Sequence, residues 1–383
     1  MTVRVNKQPF NIREKLSELE RPIGVKGNEL MGAETAQDAR DLVSAGRKNM
    51  VINGDMRISQ RVGTTATTTG SGTFVLDRMR WENGNSGSTT AQQVTDAPPG
   101  FHNSMKITVT GTDTSIAAGE YSYFRHVIEG NNMNHLEWGS PNAKTVTLSF
   151  WAKSSITGDH GGSLWNDAFN RSFPFNYRIN VANTWEYKSI TVPGCTDGVW
   201  QTGTARGMNI GFVQLSGSTY TGPPGQWNST GDIAPTSHVN LLATNGATLY
   251  ITGIQLEVGK NATEFEHRSY GEELALCQRY YQNSFHQSAG KYPGNTDNDN
   301  GMIQTCWSDG NSPFGMFPTP MRAQPTVTLR QRGTNNTGKV EVGGAQKTAS
   351  AQQVTNQGVG YIAVSSGVAG SWCAFSYELT AEI

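Results

Sequence analysis

Hydrophobic and polar positions alternate through most of the chain from residue 50 onward. In "VTLSFWAK", Val146, Leu148 and Phe150 fall on one face, and "SMKITVT", "YSYFRHVIE", "WEYKSITV", "GMNIGFVQL" and "TLYITGIQLEV" alternate in the same way. A period of two is typical of a half-buried β-strand. Because loops rich in Gly, Asn and Pro separate these segments, the pattern predicts an antiparallel sandwich of jelly-roll type over 49–268.

One segment after the sandwich has a helical rather than a strand period. In "GEELALCQRYYQ", Leu274, Cys277 and Tyr281 form an apolar stripe among good helix formers, which predicts a linking helix over 269–290. The stripe fits either a seam between subunits or packing within one chain. Alternation then returns in "TVTLRQR", "GYIAVSS" and "SWCAFSYELTAEI" and predicts a smaller C-terminal β domain over 291–383. The predicted fold class is therefore mainly β with a helical leader.

The leader over 1–48 differs from the rest of the chain in both period and charge. Ile12, Leu16, Leu19 and Ile23 are spaced by four, three and four residues, and Pro22 ends the pattern. A helix this short is marginal alone in water. It would gain stability from like copies in a bundle, from a groove on another protein, or from packing on its own body. The leader is thus predicted to attach or to oligomerise.

Composition and charge exclude several classes of protein. The formal net charge of −1 provides no general attraction to nucleic acid or to anionic membranes. No stretch of 18 apolar residues occurs and the N-terminus has no signal-peptide pattern, which predicts synthesis in a cytoplasm without membrane insertion. The four cysteines lie far apart without a CxxC pair, so we expect buried thiols rather than a zinc site.

A long block of the chain resembles bacteriophage structural proteins. It contains "NMVINGDMRISQR", "FVLDRMRW", "NAKTVTLSFWAKSS" and "ATLYITGIQLEVGKNATEFEHRSYGEELALCQRYYQ". Similar proteins are described as tail-fibre or virion-appendage proteins with a carbohydrate-binding-module-like sandwich, and are frequent among marine phages. In the leader, "AETAQDAR" is similar to an Ala-rich helical linker near the attachment end of many tail-fibre proteins.

This resemblance implies a virion structural protein. The expected form is a homotrimeric tail fibre or fibre-like appendage. Residues 1–48 would dock on other tail or capsid proteins, and the β domains would bind host surface polysaccharide. The resemblance leaves open an alternative, in which the chain is a decoration or adaptor protein of the capsid or tail with a purely structural role.

Three tryptophans are candidates for a glycan site. Trp200 in "DGVWQTGT", Trp227 in "GPPGQWNSTG" and Trp165 in "HGGSLWNDAF" stand among glycines and small polar residues. An exposed indole offers a flat face to the C–H groups of a sugar, and neighbouring amides and hydroxyls bond its hydroxyls. Two other roles are open for each: pinning its own loop to the sandwich, or contacting a neighbouring subunit.

No motif of an enzyme or of a metal site is found. Asp159, Asp167 and Glu186 are the nearest approach to the paired carboxylates of a glycosidase, but they stand in no strong motif. A nucleophile elbow of the G-x-S-x-G type is absent. The segment "NTDNDNG" begins like a calcium loop, but Asn300 replaces its glycine and Cys306 its final glutamate. We therefore expect a protein that is not an enzyme and has no cofactor or metal.

Overall fold

A computed structural model describes residues 48–284, 302–307, 311–331 and 336–383, with the side chains of Met302 and Ile303 left out. The helical leader predicted over 1–48 lies outside these residues, apart from Lys48, and so do Ile12, Leu16, Leu19 and Ile23. Residues 49–383 form one compact unit. The domain boundaries predicted within it stay a prediction.

Strands are the main regular element of the described residues, as the alternating pattern predicted. The strands are β1 (Thr67–Thr68), β2 (Met79–Gly84), β3 (Ser88–Val94), β4 (Ser104–Gly111), β5 (Tyr121–Glu129), β6 (Val146–Ser154), β7 (Gly158–Trp165), β8 (Ser172–Ile179), β9 (Glu186–Val192), β10 (Arg206–Ser216), β11 (Thr221–Gly222), β12 (Ala234–Pro235), β13 (Thr248–Val258), β14 (Tyr281–Asn283), β15 (Met302–Thr305), β16 (Ser312–Met316), β17 (Thr326–Gln331), β18 (Lys339–Val342), β19 (Ala345–Val354), β20 (Gly358–Val364) and β21 (Trp372–Thr380). Helix α1 spans Tyr270–Gln278, and short 3₁₀ helices span Gly130–Asn132, Asn134–Leu136, Ser218–Tyr220 and Leu241–Ala243.

Two antiparallel sheets form the sandwich. The six-stranded sheet has the order β1-β3-β4-β13-β6-β9, and the five-stranded sheet has the order β2-β5-β10-β7-β8. Their inner faces share one hydrophobic core, in which the ring of Phe150 from one sheet lies 5.0 Å from that of Phe212 in the other. The C-terminal β region has fewer residues than the sandwich and forms a sheet of eight strands centred on β21. The predicted mainly β fold with a sandwich and a smaller C-terminal sheet is confirmed.

The opening stretch 49–61 packs along β13. The Met50 N–H donates to the Leu256 carbonyl at 3.0 Å, and the Ile254 N–H donates to the Gly54 carbonyl at 2.9 Å. The Asn49 side chain accepts from the Leu256 N–H and donates to the Ile254 carbonyl. Residues 49–61 form no strand. The contact therefore consists of separate backbone hydrogen bonds and of hydrogen bonds made by the Asn49 side chain.

Helix α1 is shorter than the predicted linking helix. Ser269 caps its first turn with Glu272 in a reciprocal capping box. Leu274 and Cys277 pack in a small cluster with Ile52, Ile58 and Tyr280, which agrees with packing within one chain, one of the two roles open for the stripe. The prediction was wrong for the third residue of the stripe, since Tyr281 lies in β14, beyond the end of the helix. There it pairs with Thr380 of β21, because strand pairing to the C-terminal sheet outweighs the helical spacing.

Charged side chains join the sandwich to the C-terminal sheet. Glu382 pairs with the buried Arg78 and with Arg61, whose Nη2 lies 3.1 Å from Oε1. Arg78 also donates to the Val127 carbonyl at 2.7 Å and stacks over the Tyr280 ring at 3.5 Å. A charge removed from water needs such partners. The segment that carries Glu382 is therefore bound to the sandwich as well as to the C-terminal sheet.

A buried histidine in this region makes stability depend on pH. His126 is 1 % exposed and its Nε2 faces the Ile52 N–H at 3.4 Å. Burial lowers the pKa of His126 well below its usual value, and the charges of Arg78 and Arg268 lower it further. The folded chain therefore keeps this imidazole neutral, whereas the unfolded chain takes up a proton below about pH 6.5.

We predict that His126→Gln reduces the loss of stability on acidification. Between pH 7.5 and 5.5 the wild type should lose about 1.4 kcal/mol more of its free energy of unfolding than the variant. Denaturant unfolding at both values measures this difference, and His102→Gln, which changes an exposed histidine, is the control. Parallel losses in wild type and His126→Gln would contradict a neutral buried imidazole.

Candidate functional site

The outer face of the five-stranded sheet carries a group of aromatic side chains. Along β5, Phe124 points into the core, and the alternating positions Tyr121 and Tyr123 face away from it. Both tyrosines are partly exposed. Two residues of a strand on the same face stand side by side, so β5 presents two tyrosine rings to solvent on one rigid strand.

Two loops complete this group. Phe169 follows β7 and has a left-handed backbone with φ of 55°, and Tyr220 ends a 3₁₀ helix after β10. The Tyr220 carbonyl accepts from the Ile233 N–H at 2.9 Å. The loop that carries Tyr220 is thereby tied to the segment that carries Ile233, and both lie over the sheet.

Together these side chains line an open pocket of about 200 Å³, here called the tyrosine pocket, formed by Tyr121, Tyr123, Phe169, Tyr220 and Ile233. The ring of Tyr121 lies 5.8 Å from that of Tyr123 and 5.6 Å from that of Tyr220. Phe169 and Tyr220 are 6.3 Å apart. Tilted and edge-on aromatic pairs at these distances hold each other in place. The pocket is therefore preorganised, and its surface combines aromatic rings with polar groups.

Polar groups continue the same face beside the pocket. Glu82 is the strand partner of Tyr123 across β2 and β5. Its Oε1 accepts from Arg125 Nη2 at 2.9 Å, while Arg125 Nη1 donates to Asn209 at 2.8 Å. Burial raises the pKa of Tyr123 to about 12, so its hydroxyl stays protonated at neutral pH. The surface thus offers aromatic faces and fixed hydrogen-bonding groups side by side.

Trp200 and Trp227 do not form the exposed platform that was one of their predicted roles. With Trp138 they form a cluster in which each ring meets the other two edge-on, at 4.7 Å, 5.3 Å and 5.6 Å. Each indole N–H donates to a backbone carbonyl, from Trp200 to Asp197 and from Trp227 to Pro193. Both residues therefore pin loops, because their indole N–H groups and ring edges bond and pack within the chain, although Trp227 stays partly exposed.

A depression of about 480 Å³ lies beside this cluster, lined by Met133, Asn134, Glu137, Trp138, Ser140, Asn142, Trp200, Gln201 and Thr202. It is larger than the tyrosine pocket. Only 8 % of Trp138 and 9 % of Trp200 are exposed, so the depression offers a sugar little aromatic surface. The tyrosine pocket is the better candidate site.

Trp165 does not form an exposed platform either. It lies at the end of β7 and is 3 % exposed. Its ring covers Gly211 so closely that a Cβ there would stand 2.5 Å from it. Tyr123 and Phe169 pack on Trp165 at 5.8 Å and 6.0 Å. Trp165 therefore supports the tyrosine pocket from below, out of reach of a ligand.

The three carboxylates considered for glycoside hydrolysis are each engaged elsewhere. Asp159 pairs with Arg178 at 3.2 Å, and Asp167 pairs with Arg206 at 3.3 Å. For Glu186, burial acts to raise the pKa, but hydrogen bonds from Lys188, Val181 and Asn180 lower it to about 2. A carboxyl that is ionised so strongly is unsuited to act as the general acid.

Metal binding, thiol chemistry and membrane spanning have little support in the part of the chain that the structure describes. Within it, no group of three or more His, Cys, Asp or Glu side chains is placed to hold a metal ion. All four cysteines are buried, as expected from their spacing. None of the described helices is long and apolar enough to cross a membrane.

No protein-family model matches this chain, and no curated protein matches it either. Solved structures similar to part of it include the enzymatically active domain of tailspike protein 4 from bacteriophage CBA120, with 18 % identity over 55 % of this chain and 21 % of that chain, at a TM-score of 0.27. A family 11 carbohydrate-binding module from Clostridium thermocellum has 12 % identity over 53 % of this chain and 99 % of that module, also at 0.27. The CBM22-1 xylan-binding domain of Paenibacillus barcinonensis Xyn10C has 8 % identity over 52 % and 99 %, at 0.26. Likeness at this level does not say what the chain binds.

Proposed function

We propose that this chain is a glycan-binding structural protein of a bacteriophage particle, in the form of a tail fibre or fibre-like appendage. The observation that carries the binding role is the tyrosine pocket, an open aromatic pocket on a rigid sheet face with polar groups at its edge. Sugars need both features, because their C–H faces pack on aromatic rings and their hydroxyls need hydrogen-bond partners.

The place on a virion is supported by the sequence resemblance to phage appendage proteins, including marine ones. In this proposal residues 1–48 dock on a tail or capsid protein and the β domains face the host surface polysaccharide. Shallow open sites bind weakly one at a time. Three copies in a fibre and several fibres on a particle would raise the effective affinity by multivalency.

A role as a capsid or tail decoration protein is the second candidate. The packing of Trp200 and Trp227 against Trp138 within their own chain favours it, since these loops then offer less aromatic surface to a receptor. In that role the tyrosine pocket would receive a side chain of a neighbouring virion protein and would bind no sugar.

Replacement of Tyr220 by alanine tests the binding role. We expect Tyr220→Ala to weaken glycan binding about 30-fold, because truncating a central aromatic contact costs about 2 kcal/mol. Binding of the full chain to a printed array of bacterial surface polysaccharides, followed by titration calorimetry on the best ligand, measures the loss. Tyr187→Ala is the matched control, since Tyr187 is 45 % exposed on β9 of the other sheet. If only Tyr187→Ala lost binding, the tyrosine pocket would not be the site.

Trimer formation has its own test. Light scattering of the full chain and of residues 49–383 should give the mass of three chains in both cases if the β domains assemble themselves and leave the leader to dock. Two monomers would remove the support for a threefold fibre and favour the decoration role.

A further inference from the structure

Two exposed tryptophans mark a second surface, on the C-terminal sheet. Among the described residues, Trp307 and Trp372 are the tryptophans with more than a third of their surface exposed, at 45 % and 40 %. Trp372 begins β21, and its partner across β15 is Thr305, which stands two residues before Trp307. Single apolar residues on a surface are ordinary, but two exposed indoles within one small sheet are typical of a contact site.

Trp307 forms this surface together with Tyr361. Their ring centroids lie 6.0 Å apart, with 45° between the ring planes. Tyr361 lies in β20, between Pro313 of β16 and Gln352 of β19. The next residue, Ile362, is buried in the core of the C-terminal sheet, so Tyr361 faces outward. The rings of Trp307 and Tyr361 are here called the aromatic platform.

The platform lies at the end of the C-terminal sheet that is remote from the sandwich. At the near end of β21, Thr380 pairs with Tyr281, whose carbonyl accepts from Gln60 of the opening stretch at 3.0 Å. Strand β21 has nine residues, so its two ends lie roughly 27 Å apart. Trp307 stands beside the far end, where Trp372 begins the strand. The platform is therefore kept clear of the sandwich.

The exposed area suits a small ligand better than a protein. Trp307 and Trp372, at 45 % and 40 % exposure, each present roughly 100 Å² to solvent. Together they remain far below the area of about 800 Å² that each partner of a stable protein interface buries. A sugar unit needs one or two ring faces and a few hydrogen-bond partners. Gln352, opposite Tyr361, and the exposed Thr305 offer uncharged polar groups on the same surface.

We propose that the aromatic platform is a second carbohydrate site, which binds an uncharged hexose unit of a host surface polysaccharide by stacking the C–H face of the sugar on Trp307 and Tyr361. This inference adds a site to the proposed glycan-binding function and rests on that function for its ligand class. A polysaccharide repeats its units, so two sites on one chain raise the effective affinity without any further contact.

The test uses the full chain with Tyr220→Ala, which weakens the tyrosine pocket and leaves the platform as the stronger site. Hexasaccharides of glucose, galactose and mannose are the probes, and titration by saturation-transfer NMR measures their dissociation constants. At least one probe should bind this chain. Adding Trp307→Ala should weaken that binding about 30-fold, because the indole is the central contact of a small site. Trp307→Phe keeps an aromatic face and should weaken it by about threefold at most.

Tyr187→Ala is the matched control. Tyr187 is 45 % exposed, as Trp307 is, but it lies on β9 of the sandwich. Added to the chain with Tyr220→Ala, it should leave binding of the probes unchanged. Thermal unfolding verifies that each variant folds. A loss as large in Trp307→Phe as in Trp307→Ala would contradict stacking of the sugar on an aromatic face.

The outcomes separate this inference from the function on which it rests. If the wild type binds a probe and Tyr220→Ala abolishes that binding, the platform is overturned and the tyrosine pocket is kept. If Trp307→Ala alone abolishes it, the platform is supported and the tyrosine pocket is overturned. If the wild type binds no probe, the platform is overturned, while the array of bacterial polysaccharides still tests the pocket. A lower mass of Trp307→Ala in light scattering, with unchanged sugar binding, would make the platform an interface between copies and overturn the proposal.

Discussion

Replacing Asn53 with alanine is expected to lower the free energy of unfolding by about 4 kcal/mol. Asn53 is fully buried, and its side chain donates to the carbonyls of Ile58 and Asp77 and accepts from the Ile58 N–H, at 2.8 Å, 3.0 Å and 2.9 Å. It also has a left-handed backbone with φ of 60°. Alanine would leave the Ile58 N–H and the Asp77 carbonyl unpaired, although the Ile58 carbonyl would still accept from the Asp77 N–H, and it would fit this backbone less well.

Asn183 provides a matched control for this prediction. It is also left-handed, with φ of 58°, but its side chain is exposed. Asn183→Ala should therefore cost only the backbone preference, about 1 kcal/mol. Chemical denaturation of the two variants and the wild type gives the difference. Similar small costs at both positions would mean that the hydrogen bonds of Asn53 contribute little.

The second large effect is expected at the chain end. Glu382→Ala should cost about 3–5 kcal/mol, because it leaves the charge of Arg78 buried without a counter-ion. The side chain of Arg78 is 1 % exposed and that of Glu382 is 7 % exposed, so solvent cannot replace the lost partner. Arg61 loses a partner at 3.1 Å in the same change. Denaturant unfolding at neutral pH measures the cost.

Glu378→Ala is the control for the ion pair at the chain end. Glu378 lies in β21 and accepts from Arg330 Nε at 2.6 Å, with both side chains partly exposed at 18 % and 15 %. Water can solvate Arg330 after the change, so a cost of about 1 kcal/mol is expected. Equal costs for the two glutamates would refute the idea that Glu382 neutralises a buried charge.

Strands and helix could be predicted from the chain because they depend on local patterns. In β6, Val146, Leu148 and Phe150 are buried as their alternation predicted. Helix α1 begins at a capping box that a sequence pattern can show. Tyr281 was misplaced because its spacing fits a helix, whereas its pairing with Thr380 depends on a strand that is about a hundred residues away in the chain.

The candidate site could not be predicted in the same way. The alternation in "YSYFRHVIE" places Tyr121 and Tyr123 on one face, but the sequence does not say that this face is outside. Phe169 and Tyr220 reach the pocket from separate loops, and no spacing connects them. The sequence feature that could have pointed to the site was the alternation of Tyr121 and Tyr123 along β5.

The tryptophans misled for a related reason. Trp200 and Trp227 stand among Gly, Pro and small polar residues, a setting typical of exposed loop tips. Trp200 is buried and Trp227 partly buried because both pack against Trp138 of a third loop. A large side chain among small neighbours is exposed only if nothing distant in sequence covers it, and that depends on the fold of the whole sandwich.

The position of β13 also affects how the chain folds during synthesis. This strand is the partner of β4 and β6 in the middle of its sheet, and the opening stretch bonds to its residues Ile254 and Leu256. A ribosome that adds 5–20 residues per second needs roughly 10–40 s to reach β13 after the opening stretch has emerged. Until then β4 and β6 have unpaired edges, which are prone to pair with other chains. This protein is therefore most prone to aggregation in the time before β13 arrives, and less prone once the sandwich is complete.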